Sequence, residues 1–393
     1  MPARARPADG RHRAAACRPA LEVPDPMTEM TTGPAVGALA EATVGIAGDE
    51  AFVDALPKVE LHVHLEGSML PGTVLALARR HQVEDIPTTE TALADWYAFK
   101  DFDHFLRVYR TAVQVLRDED DFALLARETA LGLAAQNVRY AEMYFTPFIH
   151  TRRGIPIDEV FAGINRGRLE AQEATGVEIR WITDIPGGLP GVDILAVADL
   201  TVQFAVEHGG DSVIGLGVGG AEVGVPRPQF ARAFGAAREA GLRSLPHAGE
   251  TTGPRTIWDS IDELGADRIG HGIRCLDDPA LVARLRADRI PLDVSPTSNL
   301  RTGVVADYPS HPLPTLIAEG LAVSINSDDP PMFGTTLRDE YLHALRDLGL
   351  SRAAVAELAA AAVRHSFLPE YRKNVLLAEQ QAAVAALAGG AGG

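Results

Sequence analysis

The sequence predicts an α/β protein folded as a (β/α)8 barrel of the TIM type, with extra helices after the first strand and at the C-terminus. Eight short runs of β-branched and aliphatic residues are bounded by Gly, Pro or Asp, which is typical of buried parallel strands. Helical patterns separate most of these runs, as crossover helices do. The alternative is an open doubly wound sheet, which favours a glycine-rich phosphate loop after its first strand. Here the first strand ends in His62-Val-His64 instead.

The predicted elements follow one another regularly from residue 58 onward. Several helices begin at or just before a proline, which suits the first turn of a helix. The first connection, from about 70 to 135, is long enough to hold several helices, including 102–116 and 119–135. The predicted strands are 58–64, 138–145, 177–183, 212–218, 243–247, 268–272, 291–295 and 321–326, and the later helices are 192–207, 228–240, 254–264, 279–287, 311–318, 337–348, 352–366 and 372–387.

One catalytic domain is predicted over residues 48–388, because no internal repeat or linker divides this part of the chain. Residues 1–47 differ in composition: arginines alternate with Ala and Pro, and no apolar period is present. We expect this extension to be disordered and not to be a secretory signal, with Met27 as an alternative start. The Gly/Ala-rich tail, 389–393, is expected to fray.

Composition excludes several classes of function. A net charge of −17 disfavours binding to nucleic acid or to an anionic membrane surface. No apolar run approaches the ~18 residues that a membrane span requires. The two cysteines, Cys17 and Cys275, give no disulfide framework, which fits a reducing cytoplasm. Twelve histidines leave metal ligation by imidazole and carboxylate available.

Four residues at predicted strand ends are candidate ligands of one metal ion. His62 and His64 are two apart on a strand and therefore share a face. His247 ends the fifth strand and Asp328 follows the eighth. Taken singly, each has a structural alternative: His-x-His occurs without metal, and Asp328 lies in an ordinary turn. Together they offer three imidazoles and a carboxylate, which suits zinc or a similar divalent ion.

Two further groups are candidates for proton transfer. Glu250 lies three residues beyond His247, too near in sequence to be an easy second ligand, and its structural alternative is a helix cap. His271 ends the sixth strand between two glycines, so its ring is either a buried structural histidine or a group that orients water and accepts its proton.

The sequence resembles the adenosine/adenine deaminase family over about residues 55 to 370. The resemblance rests on five motifs in the family's order: His62-Val-His-Leu-Glu-Gly67, His247-Ala-Gly-Glu250, Ile269-Gly-His-Gly272, Ser295-Pro-Thr-Ser-Asn299 and Asn326-Ser-Asp-Asp-Pro330. It implies hydrolytic deamination at C6 of a 6-aminopurine, with one zinc ion per chain held by His62, His64, His247 and Asp328. It further implies that Glu250 protonates N1, His271 positions water, Asp329 binds N7 and Gly220 approaches N3.

The chain departs from the family in ways that bear on the substrate. Adenosine deaminases usually carry Asp where Glu66 stands, to contact the ribose 5′-hydroxyl, and Arg where Met143 stands. Other stretches resemble the adenine deaminase branch, including Leu65-Glu-Gly-Ser68 and Tyr140-Ala-Glu-Met-Tyr-Phe145 with the His150 that follows it. A third branch, the aminodeoxyfutalosine deaminases, acts on an adenosine with an aromatic acid at its 5′ position. The predicted small-molecule partner is therefore adenosine, deoxyadenosine or a 5′-modified nucleoside such as aminodeoxyfutalosine. Glu66 and His64 are predicted to contact this substrate.

Three other functions are alternatives to deamination of a nucleoside. An adenine (free base) deaminase would use the same residues, and the ligand set alone also fits another metallohydrolase, such as an amidase or phosphotriesterase. A catalytically silent purine-binding protein is disfavoured because no candidate ligand, acid or base is missing.

Two features of the barrel mouth are also predicted. Phe99, Phe102 and Phe105 are expected to form a helical lid that keeps water from the site. An acidic 5′ group would need a basic partner at the mouth. The candidates are Arg152, Arg153, Arg227 and Arg301.

Overall fold

The computed structural model of the protein describes residues 48–389. The predicted disordered extension, 1–47, and residues 390–393 of the predicted tail lie outside the described residues. Within the described range, every helix is too short or too polar to cross a membrane.

The strands are all parallel and form two sheets that share the order of the chain. The first sheet has the order β1-β2-β3-β4-β5 and the second β6-β7-β8-β9. The strands are β1 Lys58–His64, β2 Val138–Phe145, β3 Glu178–Gly187, β4 Val213–Gly220, β5 Arg243–Ser244, β6 His247–Ala248, β7 Ile269–His271, β8 Leu292–Val294 and β9 Val323–Ile325.

The fifth predicted strand, 243–247, is split into β5 and β6, so the prediction of one continuous strand is wrong. Pro246 lies at the break and has no backbone N–H to donate to a neighbouring strand. The backbone still pairs on both sides: the N–H of Leu245 donates to Leu216 at 2.9 Å, and the carbonyl of Pro246 accepts from Gly270 at 3.0 Å. The two sheets therefore continue into one another.

The first strand also meets the segment that follows the last strand. The N–H of His64 donates to the carbonyl of Asp328 at 2.8 Å, and the N–H of Asp328 donates to the carbonyl of His62 at 3.0 Å. These bonds bring the two ends of the strand order together, and the predicted α/β fold of the TIM-barrel class is confirmed.

Helices follow most strands, and additional helices lie where they were predicted, between β1 and β2 and after β9. The 19-residue helix between β2 and β3 is not among the helices that the sequence predicts. The helices are α1 Asp49–Ala55, α2 Pro71–His81, α3 Glu90–Trp96, α4 Phe102–Ala112, α5 Glu119–Ala135, α6 Pro147–Thr151, α7 Ile157–Thr175, α8 Ile194–His208, α9 Ala231–Glu239, α10 Pro254–Asp262, α11 Pro279–Asp288, α12 Pro296–Arg301, α13 Leu313–Ala318, α14 Pro330–Phe333, α15 Leu337–Arg346, α16 Arg352–His365 and α17 Glu370–Gly389.

Helices and strands from both ends of the described range share one apolar core, while the single domain over 48–388 stays a prediction. One contiguous apolar cluster includes Phe52 of α1, Trp181 of β3 and Val384 of α17. Helices α5 and α7 pack closely, because Gly163 and Gly167 bring the α7 backbone against α5: a Cβ at Gly167 would lie 2.2 Å from the carbonyl oxygen of Ala123.

A buried ionic layer ties four strands together inside the fold. The guanidinium of Arg268, just before β7, donates to Glu142 of β2 at 2.7 Å, to Asp293 of β8 and to the carbonyl of Leu61 of β1 at 3.1 Å. All three charged side chains are fully buried. Burial raises the pKa of Asp293 to about 6, although the adjacent Arg268 lowers it. A single cation therefore compensates two buried carboxyl groups.

We expect Arg268→Met to lower the free energy of unfolding by about 3–5 kcal/mol, because it leaves two buried carboxyl groups without their counter-charge. Arg243→Met is the matched control: Arg243 stacks on the same Phe367 ring at 5.0 Å but contacts only the surface residue Asp267, at 3.5 Å. Its loss should cost less than about 1 kcal/mol. Urea denaturation followed by tryptophan fluorescence measures both, and equal losses would show that the ionic layer is not what matters.

Candidate metal centre and active site

The four candidate metal ligands converge at the carboxyl ends of their strands. The Nε2 atom of His64 lies 3.1 Å from that of His247 and 3.4 Å from Oδ1 of Asp328. The Nε2 atom of His62 lies 3.7 Å from the same carboxylate oxygen. These residues come from β1, from β6 and from the segment after β9, so the ends of the chain are brought to one point.

Backbone conformation aims these side chains. Asp328 and His271 both have positive φ, 65° and 63°, a left-handed conformation that is costly for residues other than glycine. Gly270 leaves room for the rings, since a Cβ there would lie 2.6 Å from Cε1 of His62. The Ser298 hydroxyl donates to Oδ2 of Asp328 at 2.6 Å and leaves Oδ1 facing the histidines.

The donor set fits a divalent metal ion. Both ring nitrogens of His62 and Nδ1 of His247 are buried and, among the described residues, have no hydrogen-bond partner. Burial lowers the pKa of each of the three imidazoles, and so keeps their lone pairs free to bind a cation. Bonds of ~2.0–2.1 Å in a tetrahedral site place neighbouring ligand atoms roughly 3.4 Å apart, close to the separations seen here.

His271 lies beside this group: one of its ring nitrogens is within 4.8 Å of nitrogens of His62 and His247, and its Nε2 also faces two carboxyl groups. That nitrogen is 3.7 Å from Oε2 of Glu250 and 3.8 Å from Oδ2 of Asp328. Glu250 is buried, and burial together with the charges of Asp328 and Glu222 raises its pKa well above the usual range. These effects favour the protonated form of Glu250, which is the form that its predicted role as a proton donor needs.

A buried ion pair that the sequence reading missed holds the loop from His247 to Thr252. One oxygen of Glu222 accepts hydrogen bonds from the backbone N–H groups of Glu250 at 3.1 Å, Thr251 at 2.6 Å and Thr252 at 3.0 Å. Arg227, 3.7 Å from Glu222, donates to the carbonyl oxygen of His247 at 3.0 Å. Because Arg227 is fully buried in this pair, it does not stand at the barrel mouth as expected.

Two more carboxyl groups face the cavity. Asp329 lies against Gly67, where a Cβ would be only 1.6 Å from Oδ1, so the glycine of the His-Val-His-Leu-Glu-Gly motif makes room for this carboxyl group. Burial and the neighbouring charge of Asp328 raise the pKa of Asp329 well above its usual range. Asp184 of β3 is also buried, with its pKa raised by burial and by Glu66. The sequence reading missed Asp184, although it directly follows a predicted strand as the other site residues do.

Glu66 was predicted to contact substrate, but its carboxylate lies behind the cavity wall. One oxygen accepts from the N–H of Thr146 and from Nε2 of His150, each at 2.9 Å, and the other from the hydroxyl of Tyr109 at 3.3 Å. Arg153 donates to the other nitrogen of His150 at 2.9 Å and so also lies at the back. Thr146 and Tyr109, which Glu66 positions, line the cavity in its place.

A cavity lies over these groups and is lined on one side by α4. Phe102 and Phe105 line it, which confirms their predicted place over the site. Phe99 does not line it; its ring packs against Phe105 at 5.3 Å and Phe333 at 5.9 Å. The remaining lining residues include Leu106 and Arg110 of α4, Asp184 and Gly187 of β3, Gly220 of β4, and the site residues His64, His247, Glu250, His271, Asp328 and Asp329.

A parallel barrel whose strand ends present three histidines, an aspartate and a glutamic acid with a raised pKa has the arrangement of the metal-dependent hydrolases that act on carbon–nitrogen bonds. Within that class, the chain is a member of the adenosine deaminase family, whose profile, described as "Adenosine deaminase", matches residues 57–383.

Three relatives place the chain more closely. It is 46% identical over 330 residues to a protein of Streptomyces avermitilis named aminodeoxyfutalosine deaminase, which covers 84% of this chain and 91% of that protein. The structure of an adenine deaminase from Arthrobacter aurescens is 36% identical, with a TM-score of 0.80, over 84% of this chain and 99% of its own. An amidohydrolase from Burkholderia ambifaria, described with bound Zn, is 28% identical with a TM-score of 0.80, over 88% and 96% of the two chains.

If His62, His64, His247 and Asp328 are the four ligands, alanine at His62, His247 or Asp328 is expected to reduce the bound divalent metal from about one ion per chain toward none. His81→Ala is the control, since His81 belongs to a separate cluster with Asp118 and Asp121 and pairs with Asp121 at 2.7 Å. Elemental analysis of the purified proteins measures the content. If His81→Ala lost the metal and His62→Ala kept it, the ion would be bound by the cluster of His81, Asp118 and Asp121 instead.

Proposed function

We propose that this protein is a zinc-dependent deaminase that replaces the 6-amino group of a purine nucleoside by oxygen and releases ammonia. The observation that supports the reaction is that Glu250, His271 and Asp329 line the same cavity as three of the four ligand candidates, His64, His247 and Asp328. The preferred substrate is a nucleoside whose 5′ substituent ends in an acid, as in aminodeoxyfutalosine. The 46% identity to the Streptomyces avermitilis protein supports this choice.

The metal would be held by His62, His64, His247 and Asp328, and when bound it would lower the pKa of water so that water can attack C6 at neutral pH. Attack at an aromatic carbon breaks the conjugation of the ring, so the electrons must be received elsewhere. Protonated Glu250 supplies a proton to the adjacent N1, which receives those electrons, and the carboxylate so formed takes up the proton that the attacking water loses. The C6–N bond then breaks, and the amino group leaves as ammonia with the proton of the new hydroxyl group, which leaves a 6-oxopurine with hydrogen on N1. His271 lies beside Glu250 and orients the attacking water.

Asp329 and Gly220 are proposed to fix the orientation of the purine ring in the cavity. N7 of a purine is a hydrogen-bond acceptor, so a group that binds it must donate. The raised pKa of Asp329 favours the protonated carboxyl group, which can donate such a hydrogen bond. Gly220 lines the cavity with φ of 75°, and its N–H is assigned to N3.

Arg110 supports an acidic substituent at the other end of the substrate. It lines the cavity from α4, and both burial and the nearby charge of Arg152 lower its pKa. The charge of Asp103 acts in the opposite direction and raises the pKa of Arg110. A carboxylate placed between the two guanidinium groups would relieve their repulsion. Of the arginines predicted for this role only Arg152 is retained, because Arg301 instead donates to the carbonyl of Tyr97 at 3.2 Å.

Deamination of free adenine is the second candidate, favoured by the 36% identity to the Arthrobacter aurescens enzyme. Free adenine would leave the region beside α4 empty. The cytoplasmic location inferred from the two cysteines stays a prediction; Cys17 lies outside the described residues, and Cys275 is a buried free thiol.

We expect Glu250→Gln to retain its metal and to lose kcat by about 10²–10⁴-fold, because the amide cannot supply the proton.

Wild-type kcat should fall at alkaline pH as Glu250 ionises. Glu222→Gln removes a charge that raises the Glu250 pKa, so its alkaline limb should move to lower pH. Arg227→Met removes a charge that lowers that pKa and should move the limb to higher pH. Shifts in the same direction in both variants would indicate general damage to the loop.

Steady-state kinetics with aminodeoxyfutalosine, adenosine, deoxyadenosine and adenine test the substrate. We expect the highest kcat/KM for the acidic aryl nucleoside, and Arg110→Ala should raise its KM about 10-fold or more while adenosine turnover changes little. Arg107→Ala is the control, since Arg107 is exposed on the same helix and does not line the cavity. A higher kcat/KM for adenosine or adenine would refute the 5′-acid assignment and leave the deamination itself standing.

A further inference from the structure

A chain of three buried side chains leads from the backbone of α13 to the ring of His271. The N–H of Leu313 donates to Nδ1 of His311 at 3.1 Å. Nε2 of His311 lies 3.2 Å from Oδ1 of Asn299, and Nδ2 of Asn299 lies 3.4 Å from Nδ1 of His271. His311, Asn299 and His271 are 4%, 0% and 1% exposed, so solvent does not compete for these bonds.

The direction of every bond in this chain is set by its backbone end. A backbone N–H can only donate, so Nδ1 of His311 must accept, and the neutral ring must carry its hydrogen on Nε2. Burial lowers the pKa of His311 to about 4, which keeps that ring neutral. Its Nε2–H then donates to the amide oxygen of Asn299, and the NH2 group of Asn299 is left facing His271. The amide orientation therefore follows from the bonding pattern.

The same logic fixes the tautomer of His271. Since the Asn299 amide donates to Nδ1, the neutral ring of His271 carries its hydrogen on Nε2. That nitrogen faces Glu250 and Asp328 at 3.7 and 3.8 Å, on the reacting side of the site. An imidazole nitrogen that already carries hydrogen can donate a hydrogen bond but has no lone pair with which to accept a proton.

We propose that Asn299 and His311 are positioning residues that hold His271 as its Nε2–H tautomer, so that His271 donates a hydrogen bond to the attacking oxygen and does not act as its base. This inference rests on the proposed deamination, because it assigns the role of His271 within it. No proton is transferred at His271, which separates orientation of the water from the acid role of Glu250.

Helix α12 gives this assignment a structural basis. The N–H of Thr297 at its start is held by a carboxylate oxygen of Glu340 at 3.1 Å. One residue later Ser298 donates to Asp328, and the next residue is Asn299. The Ser-Pro-Thr-Ser-Asn motif therefore orients a candidate metal ligand and His271 with consecutive side chains.

The test is NMR of the full-length, zinc-loaded protein with 15N-labelled histidine, with the His271 signals assigned by their absence in His271→Gln. We expect the wild type to show hydrogen on Nε2 and not on Nδ1 at neutral pH. In Asn299→Asp, a carboxylate that can only accept should draw the hydrogen to Nδ1. Hydrogen on Nδ1 in the wild type, a doubly protonated ring, or an unchanged tautomer in Asn299→Asp would each overturn the proposal.

Kinetics supply the second measurement. Asn299→Asp should lower kcat about 10-fold or more with little change in KM or zinc content, because the purine and the metal ligands are untouched. Thr297→Val is the matched control: it removes a buried hydroxyl on the same helix, 2.7 Å from the hydroxyl of Tyr308, and does not touch His271. An equal loss of kcat in both variants would mean that only helix packing had been disturbed. If no 6-aminopurine is deaminated at all, the proposed function fails, while the wild-type tautomer can still be measured.

Discussion

The structure depends on one constraint, the placement of three neutral imidazoles and a carboxylate in an interior from which water is excluded. Leaving a buried polar atom without a partner costs about 1–3 kcal/mol. Both ring nitrogens of His62 and Nδ1 of His247 are in this position among the described residues. A cation held by the four groups would give a partner to one of these atoms, Nε2 of His62, which faces the carboxylate of Asp328. Metal binding and stability of the barrel are for that reason expected to be coupled.

Much of the surrounding structure serves to hold those groups still. The Arg268 layer joins β1, β2, β7 and β8 through buried ionic contacts. The Glu222–Arg227 pair fixes both the carbonyl of His247 and the amides around Glu250. Glycine at 67 and 270 leaves space that the side chains of Asp329 and His62 fill. Each device uses burial to strengthen a polar contact, since hydrogen bonds and ion pairs are screened less where water is absent.

Reaction chemistry and substrate choice use different parts of the fold. The groups proposed for the reaction stand on strand ends, where backbone hydrogen bonds hold them firmly. Tyr109 and Arg110 instead come from α4, in the long connection after β1. A helix in such a connection can change its exposed side chains without disturbing the barrel. This separation offers a physical reason why relatives with names as different as aminodeoxyfutalosine deaminase and adenine deaminase match the same chain.

The sequence by itself determined the barrel class, most of the strands and the convergence of His62, His64, His247 and Asp328. These features follow from short-range patterns: period-two placement on a strand, turn residues at its end, and the rule that parallel strands end at one edge. Only the tertiary structure decided which polar residues point inward and what they contact. Glu66 and Arg227 looked from the sequence like substrate ligands and are instead buried behind the wall. The sequence did not predict the roles of Asp184 and Arg110 or the hydrogen-bonded chain from His311 to His271. Each depends on contacts between residues far apart in the chain or on opposite sides of a loop. Side-chain direction in connections is set by packing, and no local pattern in the sequence encodes it.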